Sequence, residues 1–212
     1  MQKLFMRLAK SSASWSIFPA LAAVLLALAA DAQAQGQAEV RGLSGTAVFS
    51  PAGGQPAPLK VGMSLPEGAV IQTGQGAAVD IFLGEKAGVA RLVENTTVGL
   101  TKLGAETELD LREGTLIGLG SKAAVSASYQ LRLPNGVAAV EASQFRAHAK
   151  GFLVLLDGTI VFVYVPPGGE PVPYTLKAPK PVYFSPIEGI RPAPSALVNE
   201  IVGQSKARLK GK

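Results

Sequence analysis

The chain has 212 residues, 20 Lys and Arg against 15 Asp and Glu, one His and no Cys. The missing thiols exclude thiol nucleophiles, iron–sulfur clusters and thiolate zinc sites, and one imidazole excludes any His-pair metal site. The formal charge of +5 is mild and unclustered, which argues against nucleic acid as a partner.

The first segment, residues 1–34, reads as a signal peptide. "MQKLFMRLAK" carries Lys3, Arg7 and Lys10 without an acid, "IFPALAAVLLALAA" is apolar from Ile17 to Ala30, and small residues recur at Ala30, Ala32 and Ala34. Basic, apolar, then A-x-A is the order of a secretory leader. The apolar run falls short of the ~20 residues of a membrane span, and Pro19 interrupts it. Cleavage is expected after Ala32 or Ala34. It would remove the three basic residues and Asp31, leaving 17 of the 20 basic and 14 of the 15 acidic residues, a formal +3.

The next segment, residues 35–167, reads as a β domain. "ELDLRE" sends Leu109 and Leu111 to one face and Asp110 and Arg112 to the other. "YQLRLP" and "QFRAHAK" alternate in the same way. Period two marks half-buried strands with one wet face. "VDIFL", "FLVLL" and "TIVFVYV" are apolar throughout, the pattern of strands covered on both faces. "LPNG" and "VPPGGEP" are turn sequences.

One corner recurs. "PEGAVIQT", "REGTLIGL" and "LDGTIVFV" each place an acid, then Gly, before aliphatics, and Gly68, Gly114 and Gly158 lie 46 and 44 residues apart. Near-equal spacing predicts three similar units of short strands. The expected fold is all-β: a compact sandwich or roll, or a short solenoid-like stack.

Residues 168–194 hold Pro171, Pro173, Pro179, Pro181, Pro186, Pro192 and Pro194. Proline cannot donate to a ladder, so edge strands and extended chain are expected there. Residues 195–212 end the chain as a short basic helix, from about Ala196 to Leu209, with Ser195 as its cap. Leu197, Val198, Ile201, Val202 and Leu209 form its apolar stripe, and Gly203 weakens it by ~1 kcal/mol.

The order of these pieces resembles the FecR-type extracytoplasmic domain. The resemblance rests on "GTAVFS", "LKVGMSLPEGAVIQTGQGAAVDIFLGEK", "ARLVENTTVGLTKL" with Asn95 and Thr96, "ELDLREGTLIGL", "LPNGVAAVEASQF" and "VLLDGTIVFV", roughly Arg41 to Val165. Glu141-Ala142-Ser143 stands where the family often has Arg-Gly-Thr. The resemblance implies an extracytoplasmic β domain. The family's best-known members regulate iron uptake and add a cytoplasmic arm that holds a sigma factor. Only about ten residues precede the apolar run here, so that role is not expected to carry over.

Catalytic constellations are not found. A Ser-His-Asp triad would need His148, which alternates with alanines beside Arg146 and Lys150. "GTLIGLGSK" lacks the Gly-Lys-Ser/Thr order of a phosphate loop. Asp80, Glu85, Glu94, Glu106, Glu108, Asp110 and Glu113 show no glycosidase spacing. Asn95-Thr96-Thr97 matches a glycosylation acceptor but suits a turn cap better. Tyr164, Tyr174 and Tyr183 cluster late, at a sheet edge or on a small recognition surface.

No catalytic, cofactor-binding or metal-binding residue is therefore assigned. The expectation is an exported, non-enzymatic binding or scaffold module, periplasmic or extracellular. Its partner would be another envelope or extracellular protein, with no nucleic acid and no stable membrane insertion after cleavage. The alternative is an envelope signalling component that acts with a separate membrane partner.

Overall fold

The computed structural model describes residues 36–85, 87–119, 128–178 and 180–209. The expected leader and its cleavage sites lie outside them, as do residues 210–212 of the C-terminal segment. Among the described residues the protein is all-β with one helix near the C-terminus. The strands are β1 (Gln37–Ser44), β2 (Ala47–Ser50), β3 (Ala57–Pro58), β4 (Ser64–Pro66), β5 (Val70–Thr73), β6 (Ala78–Phe82), β7 (Val89–Leu92) and β8 (Thr97–Lys102). Then come β9 (Glu106–Glu113), β10 (Thr115–Leu119), β11 (Ser128–Leu133), β12 (Gly136–His148), β13 (Phe152–Tyr164), β14 (Val172–Lys177), β15 (Val182–Ser185) and β16 (Gly189–Pro192). Helix α1 spans Ser195–Leu209.

Two long strands organise the sheet. β12 and β13 pair along their whole length, with an irregularity between Glu141 and Gln144. Beyond β12 the sheet divides. The series β11-β9-β8-β5-β2-β3 joins its first half through Val137–Val140, and β10-β7-β6-β1-β4 joins its second half through Gln144–His148. β13 divides likewise: Leu153–Leu155 pair with β15, and Thr159–Tyr164 pair with β14. All pairs are antiparallel except β9 with β11.

The sheet curls so that both branches feed one core. Val40, Ile81, Leu92, Leu116 and Phe145 enter it from the β10 branch, and Ile71, Leu100, Leu111, Leu131 and Phe162 from the β11 branch. The period-two pattern is visible in these burials. Leu109 and Leu111 are buried while Arg112 is exposed, and Leu131 and Leu133 are buried while Arg132 is exposed.

The recurring glycine corner has a different meaning from stacked units. Gly68 lies between β4 and β5, Gly114 between β9 and β10, and Gly158 between the two halves of β13. At each one the chain passes from one branch to the other. All three have positive φ: 82°, 81° and 94°. Glycine enters that region without a Cβ penalty. Strands from the three segments interleave, β5 between β2 and β8 and β10 between β7 and β12, so the spacing records a repeated change of branch within one sheet.

The Gly114 crossing is the tightest. A Cβ there would be driven into Thr96 Oγ1 and the Asn95 carbonyl oxygen. Asn95 has φ 51°, which Asn tolerates better than most residues. Thr96, 1% exposed, joins the branches. Its N–H donates to Thr73 Oγ1 at the end of β5 (2.9 Å), and its Oγ1 accepts from the Thr115 N–H at the start of β10 (2.9 Å). The Thr73 N–H donates back to the Thr96 carbonyl (2.9 Å).

α1 covers the outer face of the β10 branch. Ile201 is fully buried against Ile117 and Val154, with Leu197, Tyr183 and Leu156 around them. Glu200 forms a 2.7 Å ion pair with Arg146. The Arg146 face of "QFRAHAK", expected to be wet, is therefore partly covered, because the helix returns from far along the chain. Among the described residues no helix is long and apolar enough to cross a membrane.

Gly114→Ala is expected to lower stability by about 1 kcal/mol or more from φ alone, with a further loss from the Thr96 contact. Gly158→Ala should cost about 1 kcal/mol. Urea denaturation of both variants checks this, and parental midpoints for both would show that the crossings tolerate a side chain.

Candidate functional site

Four separated stretches meet at one end of the sheet: Gln72 of β5, the Arg112–Gly114 corner, the Pro134–Asn135 turn and the turn after His148. They line a solvent-open groove of about 800 Å³. The antiparallel β11–β12 hairpin brings Asn135 there. The β12–β13 connection brings Lys150 alongside, its Gly151 at φ 90°. A Cβ on Gly151 would collide with the Asn135 side chain, so the two turns touch because position 151 has none.

The groove is polar and mostly donor-rich. The His148 Nδ1 accepts a 3.1 Å bond from the Lys150 N–H, which leaves Nε2 as the site of the proton on a neutral ring. Burial, and then the charges of Lys150 and Arg146, pull His148 below its ordinary value of 6.5. Its ring meets Phe152 edge-on with centroids 6.2 Å apart. Arg112 Nε is bound to Asp110 at 2.9 Å. Glu113 supplies the groove's carboxylate. Such a surface can hold a polar partner by several weak directional bonds, and it is too open to exclude water from a reaction.

The carboxylates singled out in the sequence are dispersed. Asp80 forms a two-pronged pair with Arg91, with Nε and Nη2 each 2.8 Å from an oxygen, and this hydrogen bonding above all raises the Arg91 pKa. Glu108 accepts from Arg132 at 2.6 Å, and Glu94 accepts from the Gly76 N–H at 2.7 Å. Each serves a separate structural contact. Among the described residues no group of three or more acids and His could hold a metal ion. In the glycosylation-like triplet, Thr96 is buried and engaged with Thr73 and Thr115.

The three tyrosines do not form one surface. Tyr174 and Tyr164 turn toward Phe184 in the core, with centroids 4.6 and 6.5 Å away. Tyr183 points to the opposite face, stacked on Phe152 at 5.9 Å and packed beside α1. Alternation along β15 separates Tyr183 from Phe184, so this cluster packs the edge of the sheet on two sides. The groove itself had no local sequence signal, because its members come from stretches nearly 80 residues apart in the chain, from Gln72 to Lys150.

No protein-family model matches the chain, and comparison with curated proteins and with solved structures returns no significant match.

Two outcomes are expected. Because the folded state favours neutral His148, the stability that it contributes is full above 6.5 and is lost as pH falls through the lowered folded value. NMR titration should place its midpoint below 6.5, and His148→Asn should flatten the acid side of the melting-temperature profile; a midpoint at or above 6.5 contradicts this. Separately, β14 pairs only with β13 among the described residues, and Pro171 and Pro173 lie at its exposed start. Replacing both by Thr should open the edge to pairing and yield larger species in sedimentation.

Proposed function

We propose that this protein is an exported, non-enzymatic β module that binds or scaffolds another envelope or extracellular protein, in the periplasm or at the cell surface. The observation that carries this reading is the open groove, where Arg112, Asn135, His148 and Lys150 offer polar groups from separate turns on one sheet framework. Rigid strands that present variable turns are a common basis for recognition. The resemblance to FecR-type extracytoplasmic domains agrees with an envelope partner. The basic-apolar-small order of residues 1–34 agrees with export.

The test is capture of interacting proteins from the envelope fraction, followed by reconstitution with each purified candidate. Lys150→Glu together with His148→Ala should weaken binding of the true partner at least about tenfold, a change of ~1.4 kcal/mol, while melting stays close to parental. A partner that binds parent and variant alike would remove the groove from this role. Intact-mass analysis of the protein from the same fraction should show loss of 32 or 34 residues. A full-length mass in the membrane would overturn the expected export with cleavage.

A further inference from the structure

The stretch "TIVFVYV" has the composition of a strand covered on both faces, yet the structure covers only one. Ile160 and Phe162 are buried in the core, while Val161 on the other face is 38% exposed. Strand register extends this outer face across three strands. Val137, Val163 and Pro173 form one row, and Ala139, Val161 and Thr175 form the next. The matching outer face on the other half of β13 is handled differently, since Val154 and Leu156 lie under α1. The protein thus hides one apolar outer face with its own helix and leaves the second open.

The third row bears on what covers that face. Glu141, Thr159 and Lys177 are register partners, so an exposed acid and an exposed base stand at opposite ends of one row. We propose that this face is where a second copy of the chain packs, about a two-fold axis that lies between the two sheets and parallel to β13. That operation sets β13 over β13 and β12 of each copy over β14 of the other. Val161 then meets its own counterpart, and Val137 lies over Pro173. Glu141 falls opposite Lys177 of the second copy, and the same pair forms again by symmetry. An isologous contact requires this self-complementarity.

The overlap also sets the strength. Three strands ~4.8 Å apart, over about six residues rising ~3.3 Å each, cover roughly 14 by 20 Å. That is well below the ~800 Å² per partner of a standard stable interface. The dimer is therefore weak, and it becomes populated where local concentration is high. This surface is separate from the groove, so partner capture and self-association stand or fall independently.

Sedimentation equilibrium of the purified protein over a wide concentration range tests the proposal. The parent should show a reversible monomer–dimer equilibrium. Glu141→Lys and Lys177→Glu should each weaken it about tenfold, because each change places like charges opposite one another twice. The double swap should return to near the parental constant, and Val161→Lys should abolish the dimer. All positions are exposed, and melting temperatures close to parental would show that the fold is intact. A parent that remains monomeric to about millimolar concentration, far beyond the range of specific interfaces, overturns the proposal. So does a double swap as weak as the single variants, or a dimer indifferent to Val161→Lys.

Discussion

The fold depends on getting one chain repeatedly between two branches of a sheet without leaving buried polar groups unpaired. The Thr96 corner shows how. A buried backbone segment must find partners for its N–H and C=O groups, and Thr96 lies between strand ends of different branches. Its own backbone joins Thr73, and its hydroxyl joins Thr115. Thr73 Oγ1 also donates to the Val93 carbonyl. These threonines stand in for the regular ladder where the ladder must stop. Gly114 is part of the same solution, because the close approach of its corner to Asn95 and Thr96 leaves no room for a Cβ.

The bent pair β12–β13 carries the same constraint through the middle of the sheet. Each strand serves both branches, so each must change direction without losing its partner. β12 does so through the irregularity after Glu141, and β13 through Gly158 in the facing region. A bulge opposite a glycine lets the twist increase locally while pairing resumes on either side. The long strands then set the outer faces apart: one half of β13 lies beneath α1, and the other half does not.

Much of this was legible in the sequence, and the limits have physical causes. Strict alternation at Leu109 to Arg112 and Leu131 to Arg132 reported side-chain direction, because the period of a strand is local. The glycine corners were visible too, as turn chemistry is also local. Their role as crossings was not, since spacing alone cannot tell a stacked unit from a change of branch. The uniformly apolar "FLVLL" and "TIVFVYV" read alike. Only the first has a helix over it, supplied from more than 40 residues further on, as Ile201 to Val154 shows. The groove was hidden for the same reason, and the late tyrosines looked clustered because sequence proximity conceals which side of β15 a residue faces.

The distribution of proline narrows how this domain can meet anything else. The branching sheet ends in four strands, β3, β4, β14 and β16. Each contains one proline: Pro58, Pro66, Pro173 and Pro192. Proline removes a ladder donor, and natural sheets use it to stop strands from adding at an edge. When four separate edges carry the same block, strand addition is the route the sequence disfavours throughout. What remains for recognition are the turns at the ends of the strands and the flat outer faces. The groove belongs to the first kind of surface and the Val137–Val161–Pro173 face to the second. α1 already occupies the outer face that lies over Ile117 and Val154. A β domain that closes its edges and covers one face itself directs its contacts to the surfaces left over.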